Sequence, residues 1–112
     1  MTGITSSKFV TGAVAMAASL TLTKDSYLDD IRVHLSAAGG AGNLVIKLNS
    51  INGSAYDVVL YTQDMTSHTD FVYSPDPKEH FLKGDVIEVT WANASTRTYG
   101  VEFIYTEIKE VF

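Results

Sequence analysis

The sequence has no cysteine, only two prolines and few charged residues. Without cysteine there are no disulfides, thiolate nucleophiles or thiolate zinc sites, so stability has to come from packing or assembly. Eight Lys and Arg against thirteen Asp and Glu give the 112 residues a net charge of −5, with no basic run. That balance argues against a nucleic-acid surface, whose affinity comes mainly from basic side chains that neutralise phosphates.

The sequence also lacks a long uninterrupted apolar run. Its most apolar stretch, residues 9–22, contains Thr11, Gly12 and Ser19 and is too short and too polar to span a bilayer. An alternative interpretation is a signal peptide, because Ala15-Met16-Ala17 resembles a cleavage pattern, but the polar start fits it poorly. We therefore expect no membrane association.

What the sequence does contain is β-strand patterning, with 46% apolar residues and alternation of period two. Residues 27–61 predict three successive antiparallel strands, because apolar side chains alternate with polar ones on one buried face. The predicted joints are glycine turns, one at Gly39–Gly42 and one at Asn52-Gly53, a strong hairpin signal. This stretch predicts architecture and no chemistry.

Similar patterns extend over most of the chain. Residues 9–23 have some helical propensity, but their apolar alternation favours a strand. Pro75 and Pro77 predict a loop, and Lys83-Gly84-Asp85 predicts a tight turn. The count is seven or eight strands, which predicts an all-β fold, an antiparallel β-sandwich resembling a jelly roll. The polar residues 1–8 are predicted to form a flexible N-terminal arm, and residues 9–112 a single β-sandwich domain.

Hydrolytic chemistry would need one of the three histidines as its base. His34 lies on the polar side of a predicted strand, and His68 and His80 lie in predicted loops. No nucleophile elbow surrounds any serine. We assign no catalytic residue and expect the protein not to be an enzyme.

Acidic residues offer two candidate calcium sites, one of Asp64, His68 and Asp70 and one of Asp29 with Asp30. Neither has the spacing of a dedicated calcium loop, and acidic residues in loops of β-proteins usually form turns. The Gly39–Gly42 run does not cradle phosphate, because no helix follows it. We predict no metal site and no cofactor.

Aromatic side chains provide the main alternative function, a carbohydrate-binding or receptor-binding module. Exposed tyrosines and the loops at residues 63–70 and 93–98 could contact a glycan. Five aromatic residues could form a sugar-stacking platform: Phe71, Tyr73, Trp91, Tyr99 and Tyr105. Most of them match the inward phase of their strands, however, which favours packing in the core.

Two longer segments carry a resemblance to a known class of proteins. They read LDDIRVHLSAAGGAGNLVIKLNSINGSAYDVVLYTQDMTS and FLKGDVIEVTWANASTRTYGVEFIY. Together they resemble small β-sandwich structural proteins of tailed-bacteriophage virions, of the capsid decoration, cement or head-associated type. The similarity covers about residues 20–106. Its most distinctive parts are residues 38–43, 55–60, 83–85 and 91–93, which are turns and core strands.

The resemblance implies a non-enzymatic protein on the capsid surface that binds the major capsid protein and stabilises the assembled head, as a homotrimer. A tail-associated location goes with the carbohydrate-binding alternative. Apolar residues on a second strand face predict the oligomer interface: Val59, Tyr61 and Ile104. The arm and the tail predict the capsid contact, at Ile4, Phe9, Val10, Ile108 and Phe112.

Overall fold

A computed structural model describes residues 3–108, which form nine strands and one short 3-10 helix. The first five strands are β1 (Gly3–Gly12), β2 (Met16–Thr21), β3 (Ser26–Leu35), β4 (Asn43–Asn49) and β5 (Val58–Asp64). The remaining four are β6 (Asp70–Tyr73), β7 (Glu79–Phe81), β8 (Val86–Trp91) and β9 (Tyr99–Ile108). The 3-10 helix, Ser54–Tyr56, lies between β4 and β5. It is far too short to cross a membrane, and this part of the chain contains no longer helix.

The strands form two antiparallel sheets that pack face to face. Sheet A has the order β1-β9-β3-β6, and β7 pairs with the first residues of β3, before the part that pairs with β6. Sheet B has the order β2-β8-β4-β5. The chain passes from one sheet to the other after β1, β2, β3, β5, β7 and β8. This connectivity is that of a jelly roll, so the predicted fold class is confirmed. Residues 3–108 form nine strands rather than the predicted seven or eight.

Alternating side chains from both sheets fill the space between them. Ile31 and Phe103 of sheet A, with Ile46, Ile87 and Val89 of sheet B, are completely buried. Buried side chains occur at every second position of these strands, because successive side chains point to opposite faces of a sheet. The other side chains of these strands point away from the core, onto the outer faces of the sandwich.

The prediction of three successive paired strands in residues 27–61 is half wrong. β4 and β5 do pair, but β3 belongs to sheet A and β4 to sheet B, so the connection at Gly39–Gly42 crosses between sheets. Of its three glycines only Gly42 has a positive φ, +120°. A Cβ on Gly39 would lie 2.4 Å from the Met65 carbonyl oxygen. Alternation reveals which side of a strand is buried but not which strand lies beside it.

The predicted flexible arm is also wrong for the residues that the structure describes. Gly3–Lys8 belong to β1, which pairs with β9 without interruption from Gly3 opposite Ile108 to Gly12 opposite Tyr99. The arm lacks apolar alternation because side chains at this end of an edge strand are exposed on both faces. Backbone hydrogen bonds to β9 hold it in place. The single strand predicted from residue 9 onward is likewise divided, into β1 and β2, at residues 13–15.

The turn predicted at Lys83-Gly84-Asp85 is present, and Gly84 has the positive φ, +93°, that such a turn requires. Asp85 is 4% exposed. Its carboxylate accepts hydrogen bonds from the backbone N–H of Ile51 and of Leu82, each 2.9 Å long. One side chain therefore connects the start of β8 to the β4–β5 loop.

Candidate functional site

The outer face of sheet A contains a concave surface of about 560 Å³, which we call the sheet A groove. Four strands contribute to it, because their registers align outward side chains in two adjacent rows. One row contains Thr11, Gly100, His34 and Asp70, and the next contains Phe9, Glu102, Arg32 and Val72. Residues up to 93 positions apart in sequence therefore meet on one surface.

Apolar side chains border the groove and a glycine opens it. Phe9 is 74% exposed and Val72 is 55% exposed, and they lie on the two outer strands of sheet A, β1 and β6. In the adjacent row, Gly100 of β9 has no side chain, and a Cβ built there meets no atom within 4 Å. The groove exists because the central strand carries glycine where a larger residue would fill the space.

Charged side chains line the groove between its apolar borders. The Arg32 guanidinium lies 3.8 Å from the Glu102 carboxylate and 3.6 Å from that of Asp30. The His34 Nδ1 lies 2.5 Å from the Asp70 carboxylate on the neighbouring strand. These pairs are exposed or partly exposed, so each contributes little to stability. Their consequence is geometric, because each partner restricts where the other's hydrogen-bonding atoms lie.

The His34–Asp70 pair resembles a catalytic base with its orienting acid. The hydroxyl group in the same row, that of Thr11, is too far away to serve as their nucleophile. Thr11 lies two strands from His34, about 10 Å by the usual strand spacing. Its hydroxyl donates to the Tyr99 carbonyl oxygen at 2.8 Å. Within residues 3–108, Asp70 is the one hydrogen-bond partner of the His34 ring. What the groove offers chemically is binding, through two apolar borders and a central band of polar atoms.

The other two histidines lie elsewhere. The His68 Nδ1 lies 2.9 Å from the Thr66 carbonyl oxygen, in the loop after β5. His80 of β7 packs against Tyr27, with ring centroids 5.3 Å apart. Among the described residues, neither ring is hydrogen-bonded to His34 or stacked on it, so no such contact joins the three candidate bases.

The structure brings no three of the candidate metal ligands together. Asp64 accepts a hydrogen bond from the Thr66 N–H at 2.9 Å, and this bond lowers the pKa of the Asp64 carboxyl. Asp29 pairs with the Lys78 ammonium at 2.6 Å, which raises the pKa of Lys78. Among the described residues, no three acidic or histidine side chains lie close enough to hold a metal ion.

The five aromatic residues considered for a sugar platform are mostly internal. Trp91 and Tyr99 are buried, and Phe71, Tyr73 and Tyr105 pack against the core. Tyr61 of β5 stacks on Phe71 of β6, with ring centroids 5.6 Å apart, and also contacts Tyr73. These three rings close the edge of the sandwich between β5 and β6. Of the Phe, Tyr and Trp residues described, Phe9 is the one that lines the groove.

The three residues predicted for the oligomer interface lie in three different settings. Val59, opposite Lys47, is on the outer face of sheet B and is 56% exposed. Ile104 is on the outer face of sheet A and is half-buried. A bulge at Leu60 turns Tyr61 toward the aromatic cluster just described, because Tyr61 lies opposite the buried Ile46. They do not form one continuous patch.

The residues predicted for capsid contact follow the β1–β9 pair. Ile4 is 57% exposed, Phe9 borders the groove, and Val10 packs partly against the core. Ile108, opposite Gly3, is half-buried at the end of β9. Phe112 lies outside the described residues. Sequence patterns drew attention to Phe9 but not to Arg32, Val72, Gly100 or Glu102, because alternation assigns them only to an outward face and the groove arises from the register of four strands.

No protein-family model matches this sequence, and no curated protein is significantly similar to it. The sheet A groove combines an open floor, apolar borders and oriented polar atoms on one sheet.

Proposed function

We propose that this chain is a non-enzymatic structural protein of a tailed-bacteriophage virion, a decoration or cement protein that binds the assembled head. Two observations support the proposal. The sequence resembles that class of proteins over about residues 20–106, and the fold is a jelly roll, an architecture that recurs in viral capsid and lectin domains. Because a fold alone does not imply a function, the proposal depends mainly on the groove.

The observation that carries the proposal is the position of the sheet A groove. It lies on a strand that the capsid contact was expected to use, because Phe9 of β1 forms one border. Ion pairs inside it leave Arg32, Glu102, His34 and Asp70 with directed polar atoms between two apolar borders. A segment of a coat subunit with one or two apolar side chains and polar backbone groups fits such a surface, since buried apolar area supplies affinity and polar atoms set orientation.

The stabilising mechanism is mass action. A protein that binds the assembled shell, and not its separated subunits, stabilises the shell by RT ln(1 + [L]/Kd) for each site. At a hundredfold excess of free protein over Kd this is about 2.7 kcal/mol per site. Many such sites on one shell add up, so a modest individual affinity suffices.

The proposal includes the expected homotrimer, and the structure constrains how one could form. Val59 and Ile104 lie on the outer faces of opposite sheets. One contact can use both only if the sheet B face of one copy meets the sheet A face of the next. Such head-to-tail contacts close into a ring when the rotation between neighbours allows it. Light scattering of the purified chain measures the state directly.

The test fills the groove without disturbing the fold. In Gly100→Val a side chain enters open space at a residue whose φ is not positive, and valine favours a strand more than glycine does. We expect this variant to fold at least as stably as the parent and to lose at least tenfold in affinity for capsids. Binding is measured by co-sedimentation with shells assembled from the coat protein encoded in the same genome.

A matched control is Thr90→Val. Thr90 is an exposed residue in the middle of sheet B, opposite Ala17 and Val45, so this variant places a valine on the outer face of the opposite sheet. It should bind capsids like the parent. If Gly100→Val has the same unfolding midpoint as the parent and binds capsids equally well, the groove is not the capsid-binding surface.

A carbohydrate-binding role is the second candidate, favoured by the exposed ring of Phe9 beside polar side chains. Aromatic faces stack on sugar rings, and oriented carboxylates and a guanidinium can bind hydroxyl groups. Trp91 is 3% exposed and so would not report such binding by fluorescence. A glycan array and calorimetry with any positive sugar are the appropriate measurements. Saturable sugar binding that Gly100→Val abolishes would favour this role over decoration.

A further inference from the structure

The open edge of sheet A is formed by β1, and it differs from the other sheet edges. Unpaired edge strands attract further strands, so most proteins protect them with charges, bulges, prolines or short length. β1 is ten residues long, contains no proline and pairs with β9 without a bulge. Within residues 3–108 it has β9 as its one partner strand.

Each of the other edges is protected. At β2 the Lys8 ammonium donates a hydrogen bond to the Ser19 carbonyl oxygen at 2.6 Å. β5 is interrupted by the bulge at Leu60. β6 and β7 have only four and three residues, and Pro75 and Pro77 lie between them. Of the edges described, β1 is the longest strand, and its one charged side chain, Lys8, turns inward to the Ser19 carbonyl oxygen of β2.

Successive residues of a strand direct their backbone N–H and C=O groups to opposite sides, so the bonds of β9 show which backbone groups of β1 do not face β9. The Ile108 N–H donates to the Asp25 carbonyl at 2.9 Å, and the Thr98 carbonyl accepts from the Ser36 N–H at 2.8 Å. Even-numbered residues of β9 therefore face β3, and its odd-numbered residues face β1. Their partners on β1 are the even-numbered residues from Ile4 to Gly12.

The odd-numbered residues of β1 consequently turn their N–H and C=O groups away from β9. They are Thr5, Ser7, Phe9 and Thr11, with Gly3 at the end. A strand added at this edge would form its hydrogen-bonded pairs with these residues. The edge is thus a ladder of regularly spaced donors and acceptors about 30 Å long, at the usual strand rise.

We propose that this edge binds the same edge of a second copy, by antiparallel pairing of β1 with β1 about a two-fold axis at Ser7. This register pairs Ser7 with Ser7 and Thr5 with Phe9 of the second copy. On the inner side it places the 57% exposed Ile4 opposite Val10 of the second copy. Nine of the ten residues of β1, residues 3–11, find a partner in the same strand of the second copy.

Self-complementarity is the reason to choose a second copy. Residues 3–12 contain one charged side chain, Lys8, and in this register it lies opposite Ser6 rather than opposite itself. Shifting the axis to residue 8 would place the two lysines against each other, and shifting it to residue 6 would place Ile4 against Lys8. The Ser7-centred register avoids both conflicts and keeps residues 3–11 paired.

The pairing has a consequence for the sheet A groove. A two-fold axis through the strand pair, perpendicular to the sheet, leaves the outer faces of both copies on the same side. Two grooves would then face one surface and could engage it together, which raises overall affinity through effective concentration. The pairing itself does not depend on what the groove binds.

The test uses the absence of cysteine in the chain. Opposite Cα atoms in a hydrogen-bonded antiparallel pair are about 5.5 Å apart, within the range of a disulfide. Ser7→Cys should therefore give a disulfide-linked dimer on mild oxidation. Thr5→Cys is a control on the same strand, because its two copies would be about 13 Å apart along the strand. Thr62→Cys is a control on the exposed edge of β5.

We expect at least a fivefold higher yield of dimer for Ser7→Cys than for either control. Equal yields in all three variants, or no dimer with Ser7→Cys, would overturn the proposal. All three substitutions are at exposed positions, and circular dichroism confirms that each variant is folded.

Sedimentation of cysteine-free variants is the second measurement. Ser7→Pro removes an N–H that faces the open edge and not the β9 ladder, so self-association through β1 should be lost, whereas Ser7→Ala should retain it. A trimer formed through the outer faces would persist in Ser7→Pro, but pairs of trimers would not. If Ser7→Pro associates like the parent, the proposal is wrong. It is equally wrong if Ser7→Pro loses capsid binding while Ser7→Cys fails to cross-link, because the edge would then accept a coat strand.

Discussion

Replacing Asp85 by alanine should be among the most damaging polar substitutions in this domain. The side chain is 4% exposed, and its two oxygens accept hydrogen bonds from the Ile51 N–H and the Leu82 N–H, each at 2.9 Å. Alanine leaves both N–H groups without that acceptor. Both bonds are only partly buried, so water can compensate for some of the loss.

The magnitude follows from the two bonds. A hydrogen bond to a charged group contributes about 1.5–3 kcal/mol, and partial exposure places each near the lower limit, so Asp85→Ala should cost about 3 kcal/mol. A chain of this length has a free energy of unfolding of about 6–17 kcal/mol. With a urea m-value of about 1.5 kcal/mol/M, the unfolding midpoint should fall by about 2 M.

The assay is urea unfolding followed by Trp91 fluorescence, because Trp91 is the single tryptophan and is 3% exposed in the folded chain. Asp85→Asn, which retains one acceptor oxygen, should lose about half as much stability as Asp85→Ala. Asp76→Ala is the control, since Asp76 is an exposed carboxylate with no hydrogen bond to any other described residue. A loss below about 1 kcal/mol for Asp85→Ala would refute the idea that this carboxylate holds the two loops together.

Two further predictions concern pH and the N-terminal strand. Burial, and then the hydrogen bond from the Tyr73 hydroxyl to Glu79, raise the pKa of Tyr73. The unfolded chain therefore loses this proton near pH 10, while the folded chain keeps it. The free energy of unfolding should fall as pH rises above about 10. Tyr73→Phe should reduce that fall, measured by urea titrations at about pH 9 and about pH 11. Deleting residues 1–8 should lower the urea midpoint, because it removes the β1 partners of β9 from Gly3 to Lys8. Deleting only residues 1–2 is the control, and an unchanged midpoint in the longer deletion would show that this part of β1 contributes nothing.

Much of the fold could be predicted from local patterns. The alternation in residues 27–61 correctly predicted one buried face, which includes Ile31 and Ile46, because the side-chain period of a strand is the same in any sheet. The turn at Gly84 was also predictable, because few residues other than glycine adopt a positive φ easily. What failed was pairing: β3 and β4 are adjacent in sequence but belong to different sheets.

The candidate site was less predictable than the fold. His34 and Asp70 are 36 residues apart, yet their side chains meet because β3 and β6 are neighbours in sheet A. Met65, in a stretch predicted as a polar loop, is completely buried. Its N–H donates to the Gly42 carbonyl and anchors the loop to the crossing between sheets. A lone apolar residue in a polar loop was the only local sign of it.

The sequence by itself determined the fold class, the inward residues and several turns, because these follow from side-chain alternation and from the φ preferences of glycine and proline. It also determined that no thiol chemistry occurs, because the chain has no cysteine. Only the tertiary structure decided which strands pair, that residues 3–8 extend an edge strand, and that Phe9, Gly100 and Val72 border one groove. Those features depend on register between strands distant in sequence, and no local pattern contains that information.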